Sequence, residues 1–208
     1  MSGIKERVLE HSERLPEGAV VAPTAFLHLG SRAAVDQALS RLAKSGELLR
    51  VERGRYLRPA RTRYGKRASA PERVVRQIAN LTGETVARSG AAAANALGLT
   101  TPVPVRPVFL TSGRSRRLTL GKQVVELQHA PSWKLWGAGR KAGEVLRALA
   151  WLGEEAAAAE APKAVPQLPK EEREALLMAC SAVPGWLAKI LNEVVLMHEE
   201  ESMPPADG

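Results

Sequence analysis

Ile4, Val8, Leu9 and Leu15 fall at helical spacing among charged positions, which predicts a first helix over Ser2 to Arg14. Ser2 is placed to cap it, and Glu6 and Glu10 suit its N-terminal half. Pro16, Glu17 and Gly18 stop the helix, and Val20 and Val21 make a short extended piece. Pro23 then fits the first position of a short second helix ending at Leu29. Gly30 supplies a turn and Ser31 an N-cap. Val35, Ala38, Leu39 and Leu42 then recur at the spacing of a third helix that ends at Ser45 and Gly46. Leu48, Leu49 and Val51 form a strand, Glu52, Arg53 and Gly54 a turn, and Arg55, Tyr56 and Leu57 the return strand. Two helices joined by a tight turn and followed by a hairpin predict a winged helix-turn-helix.

Beyond it, Arg61 to Arg67 is basic, holds Gly65 and has no apolar run, so a linker is expected. Ser69, Pro71 and the apolar positions Val74, Val75, Ile78 and Leu81 predict a helix closed by Gly83. A short strand over Glu84 to Ala87 precedes an alanine-rich helix from Ser89 to Leu97, whose small side chains predict close packing. Val105 to Thr111, Arg117 to Leu120 and Val124 to Gln128 predict an antiparallel meander. Helices are expected over Ala142 to Leu152, Lys170 to Ala179 and Pro184 to Met197, and the Ala-, Glu- and Pro-rich stretch from Glu154 to Lys170 is expected to be in part a mobile linker. The expected fold class is α+β, an N-terminal winged helix-turn-helix followed by a mixed helical domain with a small antiparallel sheet. The domains are a DNA-binding domain over 1–60, a basic linker over 61–68, an α+β domain over 69–200 and a disordered tail over 201–208.

Charge adds a direction to this picture. The 208 residues carry a net charge of +8, and that charge is unevenly spread. Residues 1–67 hold 14 basic and 7 acidic side chains, 68–150 hold 12 and 4, and 151–208 hold 4 and 11. Within residues 31–67 the ratio is 11 to 3, which marks the third helix and the hairpin as the expected polyanion surface. A solvated basic face without a partner is the plain alternative.

If Val35, Leu39 and Leu42 face the core, Arg32, Asp36, Gln37, Ser40, Arg41 and Lys44 share the outward side of the third helix, with Ser31 at its start. Arg32 and Gln37 are the expected base readers, because Arg pairs guanine and Gln pairs adenine through two hydrogen bonds. Arg41, Lys44, Arg53 and Arg55 are expected to hold phosphates, and Arg61 and Arg63 in the linker extend that set. Thr24 is either a phosphate contact at a helix start or a simple cap. Arg114, Arg116 and Arg117 form a second basic turn: a further phosphate contact, a docking surface for an acidic protein, or an ordinary charged hairpin loop. Trp133 and Trp136 are either core anchors or an exposed partner contact.

The winged-helix start, the run ARSGAAAANALGLTTPVPVRPVFLTSGRSRRLTLG from Ala87 to Gly121, and VLRALAWLG from Val145 to Gly153 occur in a characteristic order. In that order the chain resembles the AbiEi-type antitoxin family of type IV toxin-antitoxin systems, most strongly from Arg88 to Gly113. The resemblance implies a winged helix that represses its own operon and a C-terminal domain that counteracts a nucleotidyltransferase-like toxin encoded beside it. The implied partners are double-stranded operator DNA, as an inverted repeat, and that toxin, whether or not the two touch directly. The rival reading is a winged-helix regulator or protein-interaction adaptor with no antitoxin role.

Candidate chemistry is sparse. His11, His28, His129 and His198 have no metal-ligand spacing, and Cys180 lies in an apolar helical stretch that suits a buried structural thiol. Ser89 and Ser112 lack the spacing of a nucleophile elbow. The carboxylates Glu171, Glu172, Glu174 and Glu199 to Glu201 read as solvated helix faces. No catalytic residue, metal or cofactor is therefore expected. One cysteine excludes an intrachain disulfide, and no apolar run reaches the roughly 18 residues of a membrane span or resembles a signal-peptide core, so a cytoplasmic protein is expected.

Overall fold

The computed structural model describes residues 3–62, 65–102 and 105–201. In chain order it contains α1 (Ile4–Arg14), β1 (Val20–Val21), a 3-10 turn (Pro23–Leu29), α2 (Arg32–Lys44), β2 (Leu49–Glu52), β3 (Arg55–Leu57), β4 (Ala60–Thr62) and β5 (Gly65–Arg67). There follow α3 (Pro71–Thr82), β6 (Val86–Arg88), α4 (Gly90–Ala96), β7 (Val108–Thr111), β8 (Arg116–Leu120) and β9 (Gln123–His129). Then come α5 (Ser132–Leu135), α6 (Lys141–Leu152), α7 (Glu154–Ala164), α8 (Lys170–Ala179) and α9 (Gly185–Glu201). The fold class is α+β. Among the described residues no helix is long and apolar enough to cross a membrane.

The chain divides into two compact units, residues 1–84 with 115–127, and residues 85–114 with 128–208. The first begins as a winged helix. Val8, Phe26, Val35, Leu39, Leu42 and Leu48 form its core, and every one of them is closed to solvent. β3 is the central strand: Val20 and Val21 pair with Leu57 and Tyr56 on one side, and Leu49 and Arg50 pair with the same two residues on the other. The expected second helix is a 3-10 turn with Ala22 at its cap position, a form suited to short connectors. Gly3, not Ser2, occupies the N-cap of α1; Ser2 lies outside the described residues.

The basic stretch read as a linker is instead an antiparallel β4–β5 ribbon, with Ala60 opposite Arg67 and Arg61 opposite Lys66. α3 belongs to the first unit, not to a second domain beginning at residue 69. The N-cap of α3 is Ala70 without a side-chain bond, so Ser69 does not cap it. The Gln77 side chain on α3 secures the winged-helix sheet: its Oε1 accepts from the Val20 N–H at 2.8 Å and its Nε2 donates to the Gly18 carbonyl at 3.0 Å. The three strands of the expected meander lie in one four-stranded sheet, in the order β6-β7-β9-β8, so β9 and not β8 stands between the other two. β8 and β9 form a hairpin in the first unit, with Leu118 opposite Val125 and both fully buried. β7 pairs with β6 in the second, with Ala87 opposite Leu110.

The second unit is mainly helical. α4 and α6 approach closely through Ala93, Ala94 and Ala148, all fully buried, as the alanine-rich segment led us to expect. Of the stretch expected to be in part a linker, Glu154 to Ala164 is helical, with Ala157, Ala161 and Ala164 on one buried face against the larger core, and only 165–169 lies between helices. Alanine's high helix propensity prevails over the loop-like composition there. Glu172, read as solvated, accepts from the Ala142 N–H at 2.8 Å and so satisfies an orphan donor at the start of α6. Trp133 and Trp136 pack partly buried against this core, in the anchor role. The thiol of Cys180 has its pKa raised by burial and donates to the Leu176 carbonyl. Of the tail expected over 201–208, Glu201 ends α9 and the remainder lies outside the described residues.

Candidate nucleic-acid interface

α2 is amphipathic because Val35, Ala38, Leu39 and Leu42 share its inner face. The opposite face is open: Arg32, Asp36, Gln37, Arg41 and Lys44 are exposed or half-buried, and Ser40 is half-buried at the margin. The Ser31 hydroxyl accepts from the Ala34 N–H at 3.3 Å, so it serves as the N-cap. Five of the expected site residues are thus gathered on one helical face.

Arg32 is engaged. Its Nε lies 3.0 Å from the Asp36 carboxylate, an i,i+4 pair in which both side chains are about half exposed. An exposed pair of this kind holds only about 0–1 kcal/mol, so the guanidinium can be taken over by a base edge at small cost. Asp36 also screens its neighbours, and it is the acidic residue on an otherwise neutral-to-basic face.

On the wing, Arg53 is exposed at the β2–β3 turn. Arg55 is half-buried: its Nη1 donates to the Gly54 carbonyl at 3.3 Å and its Nε is closed off from solvent without an acceptor. It is less available to a phosphate than the sequence led us to expect. Arg50 on β2 is exposed and was not among the expected phosphate-holding residues. The strand's alternation was the signal, since Val51 is buried beside it. Thr24 is exposed within the 3-10 turn and does not hold its cap position. Arg61 lies on β4, and Arg63 falls outside the described residues.

The second basic turn is not one surface. Arg116 points into the first unit, where its Nε is 3.0 Å from Glu52 and its Nη1 is 2.9 Å from Glu84. All three side chains are about one-fifth exposed, so this is a mostly desolvated triad tying β8 to the wing strand β2 and to the end of α3. Arg117 is open and pairs with Glu126 at 3.3 Å. Arg114 is exposed and belongs to the second unit. We expect Arg116→Ala to cost about 2 kcal/mol in urea denaturation, since it leaves two carboxylates without their shared cation. The salt slope of any DNA binding should be unchanged; a flattened slope would return Arg116 to the set of residues that hold phosphates.

Among the described residues no three His, Cys, Asp or Glu side chains cluster as metal ligands would. The profile of a family described as "Family of unknown function (DUF6088)" matches residues 7–177. No curated protein matches the chain. Among solved structures, a crystal structure of the RV2827C protein from Mycobacterium tuberculosis is similar, with a TM-score of 0.53 and 14% identity, covering 94% of this chain and 77% of that one. At that identity the likeness is one of fold.

Proposed function

The chain belongs to the DUF6088 family, and on its own residues we propose that it is a cytoplasmic DNA-binding autorepressor and the antitoxin of a type IV toxin-antitoxin pair. The observation that carries the DNA half is the open face of α2, where Arg32, Gln37, Arg41 and Lys44 are accessible beside a wing with Arg50 and Arg53. A helix of this kind fits a major groove with its N-terminal residues on base edges, while the wing cations follow the backbone. Two copies on an inverted repeat would present two such helices. The antitoxin half rests on the resemblance carried by residues 88–113, and its proposed target is a nucleotidyltransferase-like toxin encoded beside it. Neither half calls for catalysis.

The test is a gel-shift titration of the full chain on the DNA upstream of its own gene and on a scrambled duplex, at about 150 mM salt. Under these conditions charge attraction alone gives only weak binding. Preference for the upstream duplex is the expected result. Equal, weak binding to both overturns the repressor reading and favours a protein-interaction adaptor.

A further inference from the structure

The second unit holds a buried cation that the DNA reading does not use. Arg147 lies within α6 and is 2% exposed. Its Nη1 donates to the carbonyls of Trp136 at 3.0 Å and Lys134 at 3.4 Å, and its Nε has no acceptor. Among the described residues no carboxylate lies within ion-pair distance of it. Glu144, the nearby acid whose field favours its charge, pairs with Arg88 at 3.7 Å. Burial lowers the pKa of Arg147 only to about 10, so it is a full positive charge at neutral pH. Two carbonyl dipoles are a thin compensation for a buried guanidinium.

Arg147 lines a cavity of about 430 Å³, within the range of small-ligand sites. Its other polar walls are Ser89, Gln128 and Lys134, so the lining holds two cations and no carboxylate. Its apolar walls include Val108, Leu110 and the Trp151 indole, which is half exposed. Gly90 keeps the space narrow and open at once. A Cβ there would stand 2.5 Å from the Arg147 carbonyl and 2.4 Å from the Trp151 Cβ, so no larger residue fits while α4 and α6 hold this spacing.

We propose that this cavity binds a small aromatic anion, a flat ring bearing a phosphate or a carboxylate. Arg147 and Lys134 hold the anionic group through charge-assisted hydrogen bonds, and the ring lies along Trp151 and the aliphatic wall. The site lies in the second unit, and its test reads no DNA.

The experiment titrates the full chain by calorimetry and tryptophan fluorescence with four probes: AMP, indole-3-acetate, adenosine and inorganic phosphate. Saturable binding of AMP assigns the phosphate source, and saturable binding of indole-3-acetate assigns the carboxylate source. Either supports the proposal, provided that adenosine and inorganic phosphate bind at least about tenfold more weakly. Lys134→Ala, which leaves the buried groups untouched, should weaken the bound probe by about tenfold, and Arg147→Lys should weaken it while keeping the charge in place. No saturable binding of either aromatic anion, adenosine binding as tightly as AMP, or full affinity in Lys134→Ala overturns the proposal.

Discussion

Alanine at Arg32 and Gln37 together removes the preference for the upstream duplex while leaving the salt dependence of binding nearly intact. The two side chains stand on the open N-terminal half of α2, where a recognition helix meets base edges. Each two-bond pairing with a base contributes roughly 1–3 kcal/mol of discrimination, so removing both brings specific binding down by about 2–6 kcal/mol, toward the non-specific level. The Arg32–Asp36 pair sharpens the expectation. Asp36→Ala frees Arg32 and removes a negative charge from the face, and it should strengthen binding to both duplexes. The reciprocal variant, alanine at Arg41, Lys44, Arg50 and Arg53, lowers affinity for both duplexes alike and reduces the salt slope by about 0.9 for each phosphate that the protein no longer neutralises. Gel shifts at several salt concentrations measure both arms. If Arg32 and Gln37 alter the slope and not the preference, they hold phosphates and base reading lies elsewhere.

The winged helix is legible because its signals are local. A helical apolar stripe, a serine cap and a glycine turn each act within a few residues, and together they locate α2 and the wing to within a residue or two. What the sequence conceals depends on distant partners. Arg116 reads as one of three arginines in a turn, and only Glu52 and Glu84, brought from other elements, turn it into a structural cation. Gln77 gives no sign in sequence that it holds the edge strand. The stretch from Glu154 to Lys170 reads as linker in part because alanine and glutamate suit both a linker and a helix, and the choice over Glu154 to Ala164 falls to α6 and α9, whose apolar sides need covering. Arg147 escapes a reading by motif, yet it carries a signal: a lone arginine in VLRALAWL, where every neighbour is apolar. A charge placed there must either reach solvent or line an internal space, and α6 gives it the latter.

That internal space depends on a backbone approach that yields the second large prediction. Gly143, in the first turn of α6, lies against the 136–137 backbone: a Cβ on it would stand 2.1 Å from the Gly137 carbonyl oxygen and 2.8 Å from that of Trp136. Neither atom is the end of a flexible side chain. Gly137 itself has φ +59, in the left-handed region, and its own Cβ position lies 3.0 Å from the Gly143 Cα, so the loop has little room to turn aside. Gly143→Ala must therefore push the chain at 136–137 away from α6, at a cost of about 3 kcal/mol. For a chain of this size that lowers Tm by roughly 6–12 °C. The Trp136 carbonyl is also one of the two acceptors of Arg147, so the same displacement strips the buried guanidinium of its better bond. Gly185→Ala is the control, since nothing lies within 4 Å of its added Cβ, and its Tm should stay close to that of the parent. All four tryptophans lie in the second unit, so a fluorescence melt reads its unfolding. An unchanged melt for Gly143→Ala would mean that the loop yields freely, and that the bond from Arg147 to the Trp136 carbonyl adds little to the stability of this unit.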